Sequence, residues 1–83
     1  MRPKPDVLCR RVGDTAVLVD LKTNQIFELN RTGLRIWELL EEGLDRDGIR
    51  QRLQQEFVVE PQLLDLEFEE LLKALRDQQL ITE

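Results

Sequence analysis

The stretch AVLVDLKTNQIFELN, residues 16–30, contains two short apolar runs on either side of a turn. Residues 16–21 are aliphatic or β-branched apart from Asp20, and residues 25–29 alternate between polar and apolar, which is typical of strands. Residues 22–24 are expected to form a three-residue loop, with Asn24 in the left-handed conformation that asparagine tolerates. The sequence therefore predicts a β-hairpin.

The expected loop determines how the two strands of the hairpin pair. It places Leu21 opposite Gln25, Val19 opposite Phe27 and Val17 opposite Leu29. Because successive side chains point to opposite faces of a sheet, one face should carry the residues that pack on the helices, namely Val17, Val19, Phe27 and Leu29. The other face should carry Leu18, Asp20, Ile26 and Glu28.

The chain before the hairpin is predicted to add one more strand. Residues 1–6 contain two of the three prolines and are expected to form a flexible lead-in. Val7–Val12 can form a strand, and Gly13-Asp14 supplies a turn signal between this strand and the hairpin. We therefore expect a three-stranded antiparallel sheet.

Three helices are predicted after the hairpin. Asn30 is a good N-cap for the first helix, which ends at Gly43, and Asp45 can cap the second. Glu60-Pro61 opens the third, because proline is preorganised for the first helical position. Apolar residues recur at helical spacing in all three: Leu34, Trp37 and Leu40; Ile49, Leu53 and Phe57; Leu64, Phe68, Leu71, Leu72 and Leu75. The predicted fold is α+β and winged-helix-like, a three-stranded antiparallel sheet followed by a three-helix bundle.

Length and charge exclude several classes of protein. The chain has 83 residues, a net charge of −5 and no run of roughly 18 apolar residues that would span a membrane. Its basic N-terminus lacks the apolar segment of a signal peptide. We therefore expect one cytoplasmic domain over residues 1–83, with no membrane as a partner.

The residue types also argue against catalysis and against metal or cofactor sites. The sequence has no histidine and a single cysteine, Cys9, so the usual zinc ligand sets and a histidine-activated nucleophile are both missing. It also has no glycine-rich phosphate-binding loop. We predict that the protein is not an enzyme and has no metal or cofactor. A thiol-dependent enzyme that uses Cys9 is the alternative.

The order of the elements is compatible with two kinds of binding. A winged-helix layout suits DNA recognition, but the third helix is acidic up to Lys73, and the net charge opposes attraction to phosphates. A small sheet with an exposed edge suits recognition of a polypeptide, because an extended peptide can add to that edge as a further strand. The acidic balance favours a basic peptide over nucleic acid.

The chain resembles a known family, the PqqD-like recognition domains for precursors of ribosomally made, post-translationally modified peptides. The most specific part is LVDLKTNQIFELNRTGLRIWELL, residues 18–40. It is similar to the family's pattern of a strand ending in aspartate, a turn, an aromatic strand, Leu-Asn and a helix with Ile-Trp. The resemblance covers about residues 7–81, and the segment IWELL looks most like the free-standing recognition proteins of lasso-peptide pathways.

The resemblance implies a peptide-binding site. In this family the leader segment of the precursor docks as an antiparallel strand on the third strand, in the groove between that strand and the third helix. The implied site consists of Gln25, Ile26, Phe27, Glu28, Leu29, Leu64, Asp65, Glu67, Phe68 and Leu71. An apolar pocket is expected around Phe27, Leu64, Phe68 and Leu71, of which Phe27 and Leu71 are the more typical of core positions. Asp65 and Glu67 are expected to pair with a basic residue of the leader.

The resemblance also implies partners. Such a protein binds the precursor leader peptide and delivers it to a separate cysteine leader peptidase, which removes the leader before a cyclase closes the ring. A peptide chaperone of the pyrroloquinoline quinone pathway is one alternative. A winged-helix DNA-binding or regulatory module is the other.

Overall fold

Five strands and three helices make up the fold in the computed structural model, which describes residues 1–82. The strands are β1 (Arg2–Pro3), β2 (Val7–Val12), β3 (Thr15–Asp20), β4 (Ile26–Leu29) and β5 (Ile81–Thr82). The helices are α1 (Arg31–Glu41), α2 (Arg46–Glu56) and α3 (Pro61–Asp77).

The main sheet is antiparallel, with strand order β2-β3-β4, and three helices follow it in the chain. This arrangement confirms the predicted α+β fold. Since β3 is the central strand, β2 and β4 are the two edges.

A second, two-stranded sheet joins the two ends of the chain. Antiparallel pairing of β1 with β5 places Arg2 opposite Thr82 and Pro3 opposite Ile81. The backbone N–H of Lys4 also donates to the carbonyl of Leu80 at 3.1 Å. The flexibility expected for residues 1–6 stays a prediction, although part of that segment is paired in this way.

The predicted pairing of the hairpin is wrong by one residue. The structure places Val19 opposite Ile26, Leu18 opposite Phe27, Val17 opposite Glu28 and Ala16 opposite Leu29. A shift of one residue moves a strand's side chains to the other face of the sheet. Phe27 and Leu29 do face the helices as predicted, but from β3 it is Ala16, Leu18 and Asp20 that are buried, and not Val17 and Val19.

The turn explains the shift. The N–H of Asp20 donates to the carbonyl of Gln25 at 3.0 Å, so the loop between the strands contains four residues, 21–24, instead of three. The Asp20 carboxylate accepts the N–H of Lys22 at 2.9 Å and that of Thr23 at 3.4 Å. Asn24 has a φ of +62°, as predicted. The side chain of Asp20 therefore points inward and caps the turn, and the side chains at alternate positions of its strand point inward with it.

The helix ends are capped as the sequence indicates. The side chains of Asn30 and Asp45 each accept a backbone N–H at 2.8 Å, from Gly33 and Gly48. The third helix ends at Asp77, Gln79 just beyond it has a φ of +58°, and the N–H of Leu80 donates to the carbonyl of Leu75 at 2.8 Å. Gln79 thus occupies the left-handed position after the helix that glycine usually fills. Across residues 1–82, every helix is too short or too polar to cross a membrane.

The hydrophobic core lies where the three helices meet the inner face of the main sheet. Trp37 of α1 and Phe68 of α3 are its largest members, and both are fully buried. The hairpin contributes Ala16, Leu18 and Leu29, and Leu80 and Ile81 return to the same cluster as predicted. This packing holds α3 at a fixed position beside β4, which creates the groove described next.

Candidate functional site

A groove lies between the free edge of β4, the first turns of α1 and the middle of α3. Its volume is about 330 Å³. It is lined by residues from all three elements: Phe27, Glu28, Leu29, Asn30, Thr32, Gly33, Ile36, Glu67, Glu70 and Leu71. Five of these belong to the predicted site, namely Phe27, Glu28, Leu29, Glu67 and Leu71, so the structure brings the β4 and α3 parts of the prediction together.

The free edge of β4 presents unpaired backbone groups. In an antiparallel sheet, residues that bond to one neighbouring strand alternate with residues that point away from it. The bond from Asp20 N–H to Gln25 C=O shows that the backbone N–H and C=O groups of Gln25, Phe27 and Leu29 point toward β3. The N–H and C=O groups of Ile26 and Glu28 therefore point out from the sheet, where another strand can pair with them.

The apolar residues of the predicted site fall into two groups. Leu64 and Phe68 are buried in the core, at 1% and 0% exposure, and neither lines the groove. Phe27 and Leu71 are half-buried and do line it. Phe27 and Leu71 are predicted to be the more typical of core positions, but the burial seen in the structure is the opposite. Contact of any of the four with a peptide stays a prediction.

The two acidic residues predicted on α3 also differ from each other. Asp65 accepts two hydrogen bonds from Arg50 of α2, from Nε at 3.1 Å and from Nη2 at 2.8 Å. These bonds hold the pKa of the Asp65 carboxyl below its usual value. Glu67 lies at the groove, and none of the ion pairs observed within residues 1–82 involves it. Of the two, Glu67 is the carboxylate open to a ligand.

Glu70 of α3 lines the groove together with Glu67, and Glu28 borders it on β4, with its side chain on the outer face of the sheet. The lining contains no lysine or arginine among the described residues, so the groove is negatively charged. Its remaining polar side chains are the amide of Asn30 and the hydroxyl of Thr32, and no cysteine or histidine is present there. This surface is suited to holding an extended basic chain and offers no activated nucleophile.

Sequence reasoning missed the α1 side of the groove. Thr32, Gly33 and Ile36 lie on one side of the first turns of α1, and Asn30 precedes them as the N-cap. A Cβ on Gly33 would lie 3.3 Å from both Asn30 Oδ1 and Leu29 Cδ2, so a larger residue would disturb the cap and the end of β4. The signal available in the sequence was that α1 begins immediately after β4, which places its first turn next to the strand edge.

The basic residues of α2 are engaged within the protein. Arg46 bonds to Glu69, and Arg50 to Asp65, on the facing side of α3. Arg52 lies within 4 Å of both Glu42 and Glu56. Binding of a phosphate by these three arginines would require those ion pairs to open. The positive surface that a DNA-binding helix needs is therefore neutralised on α2.

Comparison with known proteins gives a family match and structural matches. A family model described as coenzyme PQQ synthesis protein D (PqqD) matches residues 15–81. The solved structure of TbiB1 in complex with the TbiA(beta) leader peptide is similar, with a TM-score of 0.86 and 31% sequence identity over 96% of this chain and 93% of that one. A lasso peptide synthetase B1 complexed with the leader peptide shares the fold, with a TM-score of 0.78 and 23% identity over 93% of this chain and 91% of that one. No curated protein sequence matches the chain significantly.

Proposed function

The chain belongs to the PqqD family, and from this premise we propose that it binds the leader segment of a ribosomally made precursor peptide along the free edge of β4. The observation that carries the proposal is the unpaired edge at Ile26 and Glu28 next to a groove of about 330 Å³. Main-chain pairing would supply affinity, and the groove would accept alternate side chains. A protein of the same fold with 31% identity has been solved with a leader peptide bound.

Charge supports a basic peptide as the ligand. The net charge is −5, Glu67 and Glu70 line the groove, and Glu28 borders it. Complementary charge steers encounter and suppresses unsuitable partners. The same charge, together with the internal pairing of Arg46 and Arg50, disfavours the DNA-binding alternative.

The proposed role is that of an adaptor without catalytic activity. A leader that has bound as a strand would be delivered to a separate cysteine leader peptidase, and the freed core peptide would pass to a cyclase in a lasso-peptide pathway. Because the precursor is made on ribosomes, we place this step in the cytoplasm. The groove supplies shape, charge and backbone hydrogen bonds, and the chemistry would reside in the partners.

The free energy of binding must exceed the cost of ordering the leader. Coupled folding and binding costs roughly 2 to 5 kcal/mol. Two backbone residues pairing on β4 and one or two apolar side chains entering the groove would give a dissociation constant between about 1 nM and 1 μM, roughly −12 to −8 kcal/mol. Transfer to a peptidase favours the weaker end of that range.

A titration with a fluorescein-labelled leader, taken from a precursor gene next to this gene, tests the proposal. We expect fluorescence anisotropy to give a dissociation constant of about 1 μM or lower. Absence of binding below about 100 μM would exclude the adaptor function, since −5.5 kcal/mol is too weak for capture. A mobility-shift assay with duplex DNA at low salt, in which we expect no shift, tests the DNA-binding alternative.

A variant of the strand edge provides the matched control. Glu28→Pro removes an N–H that points away from β3, at an edge position where proline is tolerated. We expect this variant to keep its circular dichroism spectrum and to bind the leader at least about tenfold more weakly. Glu28→Ala keeps the N–H and should retain more of the affinity than Glu28→Pro does.

A further inference from the structure

The pairing register of the main sheet aligns side chains into rows that end at the free edge of β4. On the outer face, the face turned away from the helices, one row is Leu8, Val19 and Ile26. The next row is Arg10, Val17 and Glu28. A strand that pairs with β4 would extend both rows by one residue each, and its side chains there would become the cross-strand neighbours of Ile26 and Glu28.

The first row presents an apolar surface that is open at its end. Ile26 is 68% exposed and Leu8 is 45% exposed, whereas Val19 between them is half-buried. An aliphatic or β-branched residue opposite Ile26 would cover that side chain and take it out of water. A charged residue at the same position would find no partner of opposite charge within its own row, because that row is apolar along its whole length.

The second row ends in an exposed carboxylate. Arg10 lies two strands away from Glu28, roughly 9.5 Å at the usual strand spacing, and Val17 lies between them. The ion pairs described within residues 1–82 do not include Glu28. A lysine or arginine opposite Glu28 would be its direct cross-strand neighbour, and an acidic residue there would be repelled.

The residue between these two positions has a different environment. Side chains alternate along a strand, so the peptide residue opposite Phe27 would point to the inner face, toward the helices. There it meets the groove, where Phe27 and Leu71 are half-buried and provide apolar contact. A large apolar side chain suits that position, and its own backbone N–H would point away from β4.

We infer that the free edge of β4 and the groove beside it together recognise a three-residue pattern in the leader: a basic residue, then a large apolar residue, then an aliphatic or β-branched residue. The inference rests on the proposed function and on an antiparallel orientation, in which the residue opposite Glu28 precedes the residue opposite Ile26. The first and third residues bond to β4 through both N–H and C=O, so neither of them is proline. The middle residue carries no such restriction.

An N-methyl scan of the leader tests the register. The probe is the labelled synthetic leader from the neighbouring precursor gene, with one backbone amide methylated at a time, and the readout is anisotropy with the wild-type protein. We expect two sensitive amides, two residues apart, each losing about tenfold or more in affinity, and a tolerant amide between them. Sensitive amides at any other spacing would overturn the inferred register.

A charge exchange tests the basic position. Glu28→Lys should weaken binding of the unmodified leader by about fivefold or more. A second leader, with glutamate at the first of the two sensitive positions, should regain the lost affinity when it is titrated against Glu28→Lys, and against no other protein variant. Glu41→Lys makes the same charge change on α1 outside the groove, and with it the glutamate leader should recover nothing. Far-ultraviolet circular dichroism establishes that both variants are folded.

The outcomes separate this inference from the proposed function. If the unmodified leader binds but the first sensitive position is not basic, or Glu28→Lys fails to exchange the preference, the recognition pattern is wrong and the adaptor function stands. If the unmodified leader does not bind at all, the proposed function is excluded and the pattern falls with it.

Discussion

The Oδ1 atom of Asp20 accepts a hydrogen bond from the backbone N–H of Lys22 at 2.9 Å. This bond closes the turn of the hairpin around a loop of four residues, and Asp20 itself is buried, at 7% exposure. Because the loop length sets the register, the bond also determines which groups of β4 face outward. The carboxylate of Asp20 therefore helps to set the outward direction of the backbone groups of Ile26 and Glu28 at the free edge of β4.

Loss of this carboxylate should destabilise the hairpin. Asp20→Ala leaves the N–H groups of Lys22 and Thr23 without an acceptor, and we expect the free energy of unfolding to fall by about 1 to 2 kcal/mol in urea denaturation. Asp20→Asn keeps an acceptor oxygen and should lose less. Asp14→Ala, at an exposed turn residue, is the control and should change stability by less than about 0.5 kcal/mol. Equal effects of Asp20→Ala and Asp14→Ala would contradict this role.

Much of the fold is predictable because local signals agree with one another. The capping side chains of Asn30 and Asp45, the proline at the start of α3 and the helical spacing of apolar residues all indicate the elements that form. The register was not predictable in the same way. Leucines and valines occupy both faces in residues 16–21, so their alternation does not show which face is buried. A buried aspartate determines the register, whereas periodicity alone places an aspartate on the solvent-exposed face.

The location of the candidate groove was predictable, but the side chains that line it were not. The β4 edge and α3 follow from the order of elements, and the family resemblance indicates the same place. Which apolar residues of α3 face the groove depends on how the helix packs against the sheet and α1: Leu71 lines the groove, whereas Leu64 and Phe68 are buried in the core. The pairing of Asp65 with Arg50 depends on how α2 packs against α3, which sequence spacing does not specify.

Stability should depend on pH through the ion pairs of Arg35. Its guanidinium donates to Glu56 at 2.7 and 2.9 Å, which joins α1 to the end of α2, and to Glu38 of α1 itself at 3.4 Å. Hydrogen bonding to Arg35 lowers the pKa of Glu56, and hydrogen bonding to Arg11 and Arg35 lowers that of Glu38, from the ordinary value of 4.5. A lowered folded-state pKa contributes stability above pH 4.5, and that contribution is lost as the pH falls through the folded-state value.

Urea denaturation between about pH 7 and pH 3 measures this contribution. We expect the pairs to contribute about 1 kcal/mol, because the side chains are partly exposed and solvent screens them. Arg35→Gln should lower stability at neutral pH and should show a shallower decline in acid. An unchanged slope in Arg35→Gln would mean that other carboxylates control the acid transition.

The thiol of Cys9 should be unreactive at neutral pH. Burial raises the pKa of Cys9, and this effect outweighs the opposing charge of Arg11. Since the thiolate is the reactive form, we expect slow modification by Ellman's reagent in the folded protein and full reactivity in urea. Cys9→Ser should bind the labelled leader as tightly as the wild type. Rapid modification of the folded protein, or loss of function in Cys9→Ser, would revive the thiol-dependent alternative.

The two acidic residues predicted on α3 should give different results when they are neutralised. Glu67→Gln removes a charge from the groove, so we expect affinity for a basic leader to fall about two- to fivefold at low salt, with little difference at high salt. Asp65→Asn breaks the pair with Arg50, and we expect lower stability with leader affinity maintained. The reverse result, with Asp65→Asn weakening binding and Glu67→Gln without effect, would place the ligand on the α2 side of α3.

Leu71 and Leu64 provide the most direct separation of groove from core. Leu64 is 1% exposed, and Leu64→Ala should cost about 2 to 5 kcal/mol of unfolding free energy through the cavity it leaves. Leu71 is half-buried beside Phe27, so Leu71→Ala should cost less stability and yet weaken leader binding by about tenfold. Anisotropy titrations, made at a temperature where circular dichroism shows both variants folded, compare the two. If folded Leu64→Ala loses more affinity than Leu71→Ala, the leader reaches deeper than the groove and displaces part of the core.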